Sequence, residues 1–507
     1  MKEIILIDIY WGFNLEAFER SGFWWLPDDP DNRVAGILHY DPVKGIKLEL
    51  LGFLKVDDYR VTRCNEFISY VDIILGDTSK GQVTCYQCYQ RSRTFFGNSE
   101  SNFDVSVIFT GHHFEKVDDI VFDRISVKYL NLERWVAKSG FHYLVKNDSD
   151  NVEDIKVWYR SPEKRKAKVK NMEISISFKF RPPFGSPPDE RNLKQHTYLN
   201  IKTDDETHFD KFKEEILFLI TQFLTFGVGK AVHLTCIKCY SDSLIYNKRQ
   251  KLQGYKRVYA YYNVKSLNEG EIVPTHEMLF SFLDIEDNFN KFLNNWFEKG
   301  KNLKDIYNLY FATIIKSMYL EHQFLSLIQA IESYHQRMCK GIYLPRTEYR
   351  PIRESLINAI PKSVTGYHKE SLESKINFGN HFTLQSRLDE IFEKYNDIFG
   401  LVIEDKENFI KNVKNTRNFF THYSKSLEKK AKDGDELVNL TDQIKFVLEV
   451  CLLVEIGFSL EKIKNLIAQR RGYECLFIRL EKIRLFKNYE YIRDGLNSYY
   501  ELERFSR

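Results

Sequence analysis

The sequence predicts an α+β protein: a β-rich N-terminal domain followed by an all-α helical bundle. Two patterns carry that prediction. Up to about residue 200 the apolar residues alternate with polar ones, as in Val105, Val107 and Phe109 and again in Ile174, Ile176, Phe178 and Phe180; period two marks half-buried strands. From about residue 283 the apolar spacing becomes helical, in segments near 283–299, 303–339, 382–399, 405–422, 440–456 and 460–500. The division is therefore expected at residues 1–282 and 283–507, with a subdivision near 200. At 507 residues the chain exceeds one ordinary core, which agrees with two or three domains.

Turn signals punctuate the first half at Pro27-Asp28, Asp41-Pro42 and Gly185-Ser186-Pro187-Pro188. A helix is expected over about Phe209–Phe226, with Gly227 and Gly229 as stops, and more strand over 231–265. Gly300, Gly400 and Gly457 stand where helices of the second half would end, and Ser459 is placed to cap the next one. The span 340–380, with three prolines, reads as irregular connection.

Charged residues make up 29 % and hydrophobic ones 43 %, a folded rather than a disordered balance. A net charge of +3 is too small to imply nucleic-acid binding, so local clusters matter more. The longest charge-free apolar run, Ile216 to Gly229, suits a buried helix and is too short for a bilayer. The N-terminal MKEIILIDIYWGF has acids in its apolar stretch and no small-residue cleavage site, unlike a signal peptide. With eight scattered cysteines, these features lead us to expect a cytoplasmic protein without a membrane partner.

Two Cys-x-x-Cys pairs, Cys85/Cys88 and Cys236/Cys239, raise the question of a four-thiolate zinc site. Both lie in strand-like sequence without the glycine or proline of a zinc knuckle. In a straight strand positions i and i+3 point to opposite faces, so reduced, packed thiols are favoured over zinc. The run Arg160–Lys170 holds six cations and one acid, and the tail 461–507 holds eleven against seven; each reads either as RNA contact or as solvated surface. His112 and His113 are adjacent on a strand, so they diverge and share no metal.

Arg417-Asn418-Phe419-Phe420-Thr421-His422 sets a permanent cation and an imidazole five residues apart in helical sequence. An imidazole moves protons near neutrality and a guanidinium holds charge developing on phosphorus. RNA supplies its own nucleophile, the 2′-hydroxyl, so this pair is sufficient to cut RNA with no metal. Such a spacing arises by chance roughly 0.7 times in this composition, and a second copy, Arg191 to His196, follows the proline-rich turn in loop-like sequence. A five-residue step puts Arg417 and His422 about 140° apart on a straight helix. A bend, or a second copy of the helix from another protomer, must complete such a site. The structural alternative is a helix-terminal imidazolium on the last carbonyls.

The stretch Asn415–Tyr423 resembles the R-x4–6-H motif of HEPN ribonucleases, and Leu325–Tyr334 and Leu452–Phe458 resemble helices flanking it in that domain. Phe23-Trp24-Trp25-Leu26-Pro27, Val34-Ala35-Gly36, Gly45–Gly52, Gly111-His112-His113-Phe114 and Leu132-Glu133-Arg134-Trp135 are similar to the N-terminal domain of ApeA anti-phage proteins. The resemblance implies a metal-independent endoribonuclease of an abortive-infection system that needs no cofactor. It implies a homodimer or higher oligomer, RNA (tRNA included) as substrate, and a phage-encoded trigger sensed by the β-rich half. It places catalysis on Arg417 and His422. Asn418 and Thr421 are read as orienting the site or capping the helix, Tyr423 as stacking or packing, and Glu332 as orienting a catalytic group or bridging within the bundle. Two other functions stay open at this point: a non-catalytic HEPN interaction protein, and a toxin with a separate antitoxin.

Overall fold

The computed structural model describes residues 16–54, 70–94, 100–148, 151–182, 189, 191–241, 245–248, 252–255, 257–263, 271–315, 317–339 and 341–469. The N-terminal segment through Phe13, the turn expected at 185–188 and the tail beyond 469 lie outside them. The chain forms two compact units, Met1–Phe297 and Glu298–Arg507. It is α+β, β-rich first and helical second, as the periodicities predict.

Six antiparallel strands open the first unit: β1 (Phe18–Leu26), β2 (Asp29–Asp41), β3 (Gly45–Leu50), β4 (Tyr70–Thr78), β5 (Gly81–Thr94) and β6 (Glu100–Thr110). They pair in the order β6-β3-β2-β1-β4-β5, and β5 returns to β6 to close a barrel. Closure removes the open edges that would otherwise pair with other chains. Trp24, Leu38, Leu48, Ile74, Cys85 and Ile108 fill the interior. Trp24 fits only because residue 76 is glycine: a Cβ there would sit 2.3 Å from the indole ring.

Beyond the barrel the chain adds β7 (Val121–Tyr129), α1 (Leu132–Val136), a separate ribbon of β8 (Phe141–Asp148) and β9 (Asn151–Tyr159), then β10 (Arg165–Val169), β11 (Met172–Arg181) and β12 (Lys194–His208). A helical stretch follows, α2 (Phe209–Lys211), a π-helical turn (Phe212–Leu217) and α3 (Phe218–Val228). Next come β13 (Leu234–Tyr240), a small hairpin of β14 (Ile245–Lys248) and β15 (Leu252–Tyr255), and β16 (Val258–Tyr262). One edge of β6 is shared: Ser101–Val105 pair with β3 and Val107–Thr110 with β16. The sheet thus continues as a wing, β16-β13-β7-β12-β11-β10. One wing face, with Ile125, Val127, Leu199 and Ile201 buried, packs beneath α1 and α3, where Trp135 meets Phe223 at 5.9 Å between ring centres. Gly227 was expected as a stop but lies inside α3; Gly229, at φ 75°, ends it, because the left-handed cap conformation suits glycine.

The helix expected at the start of the bundle, α4 (Phe289–Lys299), runs across the division between the units. Its Trp296 is fully buried and donates its indole N–H to the Leu219 carbonyl at 2.9 Å, and Phe289 packs on Phe282 at 5.2 Å. Helical periodicity identified the helix but not its packing partner.

The second unit holds α5 (Lys304–Ile315), α6 (Leu320–Met338), α7 (Arg346–Asn358), α8 (Gly366–Phe378), α9 (Leu384–Phe399), α10 (Lys406–His422), α11 (Lys425–Glu428), α12 (Gly434–Ile456) and α13 (Leu460–Gln469). The span 340–380 is therefore largely helical, against expectation. Neither α7 nor α8 buries a residue, and Pro351, inside α7, masks the helical spacing of Tyr349, Ile352 and Leu356. Apart from the short α11, which buries no residue, the rest surround α12, which is apolar on nearly all sides, the mark of a central helix. Its two buried carboxylates are paired: Glu449 accepts from Tyr310 at 2.6 Å, and Glu455 from Tyr334 at 2.9 Å and Lys299 at 2.6 Å. Gly457 caps α12 at φ 115°, and the Ser459 hydroxyl accepts the Lys462 amide in α13. No helix among the described residues is long and apolar enough to cross a membrane.

Candidate active site

Asp405 starts α10 by accepting the Asn408 amide at 2.9 Å. Phe409, Ile410, Val413 and Thr416 then bury one stripe of that helix. Thr416 also accepts the Lys432 amide at 3.0 Å, tying the following loop to the helix. These anchors leave the last turn and a half at the surface. Helical geometry persists through His422 and turns left-handed at Tyr423, φ 47°, so no bend separates Arg417 from His422.

Arg417 is half-buried and held from two sides. Its guanidinium lies 3.6 Å from the Glu332 carboxylate on α6 and donates to the Asn418 amide oxygen at 3.2 Å. Both ion-pair partners are about a third exposed (34 % and 28 %), so the guanidinium is steered without being withdrawn from solvent. His422 is exposed and makes no side-chain hydrogen bond or ion pair among the described residues. Thr421 donates its hydroxyl back to the Arg417 carbonyl at 2.7 Å, an ordinary helical back-bond. Tyr423 is 70 % exposed, its ring edge resting on Phe419 at 5.6 Å. Glu332, Arg417 and Asn418 thus converge, while His422 and Tyr423 project separately at the helix end.

A buried polar cluster lies one helical turn from Glu332 and was not foreseen. His335 is fully buried, with Nε2 2.8 Å from Glu390 and Nδ1 3.1 Å from the Arg387 guanidinium. Arg387 also donates to the carbonyls of Glu332 at 3.3 Å and Phe382 at 3.2 Å. Guanidinium only donates, so Nδ1 accepts and the imidazole proton sits on Nε2, facing Glu390. Burial, reinforced by Arg387, pushes the His335 pKa down against the pull of Glu390. His335, Cys339 and Glu390 are also the one trio of donors among the described residues close enough to share a metal, within 4.8 Å. The chemistry argues against it: a metal-binding histidine donates its other ring N–H to an acceptor, whereas here that nitrogen meets a cation. Helices separated by some fifty residues build this cluster, and no local spacing announces it.

Cys85 and Cys88 on β5, and Cys236 and Cys239 on β13, are buried free thiols whose pKa values burial pushes up. The two cysteines of β5 both belong to the barrel interior, contrary to the expected opposite faces. Gln87, at φ 57°, interrupts the alternation between them. The four thiols form no metal-binding group among the described residues. Of the second Arg-x4-His match, Arg191 lies in irregular backbone as expected, whereas His196 lies within β12. The basic run contributes Arg165, bound to Glu286 at 2.6 Å. His113 is structural, bonded to the Gly76 carbonyl at 2.9 Å and to Gln82 at 3.2 Å.

With the geometry in place, the family comparison is decisive. The model of ApeA N-terminal domain 1 matches residues 19–296, more than half of the 507 residues. The chain belongs to the ApeA family. The Apea-like HEPN model matches residues 325–462 of this ApeA-family chain, which takes in α6, α9, α10 and α12, and with them Glu332, Arg417 and His422. The architecture supports an anti-phage HEPN effector. No curated protein and no solved structure matches the chain.

Proposed function

We propose that this protein is a metal-independent endoribonuclease that acts in anti-phage defence by cutting cellular RNA, tRNA among the candidate targets, in the cytoplasm. One observation carries the reading: an Arg-x4-His pair stands on the solvent-facing end of α10, its arginine steered by Glu332 and its histidine unengaged, inside an Apea-like HEPN domain. His422 serves as general base toward the 2′-hydroxyl or as general acid toward the departing 5′-oxygen. Arg417 stabilises the charge of the phosphorane. Acid–base assistance supplies on the order of 10²–10⁴ in rate, and one charge-stabilising donor about 3–4 kcal/mol. Because α10 does not bend before Tyr423, residues about 140° apart on one helix are completed by the same helix of a second protomer, which makes the working species a dimer or larger assembly.

The test uses total RNA in EDTA with the phage-derived activating signal supplied by infected-cell lysate. Cleavage leaving 2′,3′-cyclic phosphate ends is expected from the wild type and from His196→Ala, and is lost in Arg417→Ala and His422→Ala. Undiminished cutting by His422→Ala would remove that residue from the mechanism. Cutting that requires a divalent cation would overturn the metal-free chemistry.

A further inference from the structure

The wing sheet has a second face, opposite the one beneath α1 and α3, and its composition is lopsided. Strand register assigns Lys179 and Arg181 of β11 to it, together with Lys194 and Lys202 of β12. Pairing across β7 and β13 adds Arg124, Lys128 and Lys238. Seven cations thus share the face with Glu173, bridged to Lys166 at 3.1 Å, and with Glu133 at its margin, 3.2 Å from Lys128. Three of the ammonium groups gather over one ring: Lys238, Lys179 and Lys128 lie 4.8, 5.3 and 5.9 Å from the centre of Tyr198. Between them run neutral hydrogen-bonding groups, Ser126 donating to Asn200 at 2.6 Å and Asn200 to Ser177 at 2.8 Å.

Like charges do not gather on a folded sheet without electrostatic cost, and His196 registers that cost. Its Nδ1 is 3.3 Å from the Lys128 ammonium. Burial first, then Lys128, with Arg181 and Lys194 adding to it against Glu133, pushes its pKa down to about 4. Burial selects the neutral imidazole, and the neighbouring cations add to it. An anion laid on the face relieves the repulsion.

We propose that this face binds RNA through the sugar-phosphate backbone of a single strand, without regard to base sequence. Five strands about 4.8 Å apart, crossed by nine residues of β11 at about 3.3 Å each, give a surface of roughly 20 by 27 Å. That accommodates several phosphates of an extended strand. Ser177, whose hydroxyl accepts from Asn200, keeps its own proton for a phosphate or ribose oxygen. Tyr198 is only 5 % exposed beneath its lysines, so base stacking is not the recognition mode. The choice of RNA among polyanions rests on the nuclease reading above; the face itself does not.

The experiment measures fluorescence anisotropy of 5′-fluorescein-labelled twelve-nucleotide poly(U) with the full chain carrying His422→Ala, so that binding is read without cleavage. The comparison adds Lys179→Glu, Arg181→Glu and Lys202→Glu, all exposed positions that leave the core untouched. Loss of at least tenfold in affinity is expected, and the slope of log K against log salt should shrink by about 2, three phosphate contacts at about 0.7 each. A polyglutamate peptide at equal charge should not displace the RNA. Unchanged affinity in the triple variant, absence of saturable binding in its parent, or displacement by polyglutamate would overturn the proposal. A second variant, Lys194→Glu with Lys202→Glu, must show the same direction. Cleavage by the wild-type chain is scored separately, so either reading can fail alone.

Discussion

Replacing Arg387 by Met removes a guanidinium from the interior of the helical unit while keeping most of its aliphatic bulk. Arg387 is 7 % exposed and serves three acceptors, His335 Nδ1 at 3.1 Å and the Glu332 and Phe382 carbonyls at 3.3 and 3.2 Å. The buried His335 Nδ1 left without a donor costs about 2 kcal/mol, and the two half-buried carbonyls, of which that of Glu332 keeps its donor within α6, add about 1 kcal/mol between them. The sum is about 3 kcal/mol, reduced somewhat because a buried charge no longer has to be desolvated. For a unit of this size that lowers the melting temperature by about 6–12 °C. The chain provides its own way to localise the effect. All six tryptophans fall at or before residue 296, so indole fluorescence follows the first unit alone, whereas ellipticity at 222 nm is dominated by the helices of the second. The ellipticity transition should move and the tryptophan transition should stay. A shift below about 2 °C at 222 nm, or an equal shift by both probes, would refute the account of Arg387 as the donor holding α6 to α9.

The same two probes test the remaining expectations. Gly76→Ala drives a methyl group to 2.3 Å from the Trp24 ring and should cost about 1–3 kcal/mol, as overpacking does, seen in the tryptophan transition only. Tyr310→Phe strips the 2.6 Å donor from buried Glu449 and should cost about 1–3 kcal/mol in the 222 nm transition; no loss would show that Lys445, 3.7 Å away, suffices. Acid should destabilise both units through histidine. His196 and His335 both have pKa values below the ordinary 6.5, so the unfolded chain takes up their protons first and stability falls as pH drops below about 6.5. For His196 the loss continues to about pH 4. His196→Gln should flatten the tryptophan-detected pH dependence in that window, and an unchanged profile would rule its imidazole out.

Alternation and helical spacing sufficed for the fold class because both report burial on one side. The strands with Val105 and Ile174 obey the rule only in part: Val107–Thr110 are buried on both faces, and in the other strand Ser175 is buried while Phe180 is exposed. Where a breaker intervenes the signal is masked: Pro351 inside α7 hides Tyr349, Ile352 and Leu356 at helical spacing, and α7 and α8 each leave all their residues at least partly exposed. Where backbone geometry intervenes the rule misleads, as at Gln87, whose positive φ brings Cys85 and Cys88 into one interior. Of the candidate site, Arg417 is named from its motif and Glu332 as a group that orients or bridges, but their pairing was not legible, because it depends on how α6 packs on α10. The Arg387–His335–Glu390 cluster was not legible either, since its members meet only through the packing of two helices far apart in sequence. The basic sheet face was hidden for a related reason: its cations are dispersed over several strands and become neighbours only through register.

The helix end itself carries a constraint on how the proposed chemistry must work. In-line displacement needs a proton acceptor on one side of the phosphorus and a donor at the leaving oxygen, with positive charge between them. One α10 offers a single imidazole, at its exposed terminus, and a single guanidinium on another side of the helix. The guanidinium is oriented by Glu332, but nothing in the same helix turns the imidazole toward it. Two copies of α10 related by a twofold axis would supply two imidazoles and two guanidiniums to one groove, each histidine facing the other protomer's arginine. The arrangement predicts complementation: mixing Arg417→Ala with His422→Ala protomers should restore part of the cleavage, because one hybrid cleft keeps both intact groups. Failure of the hybrids to cut, with dimer exchange verified, would mean that each chain works with its own pair alone.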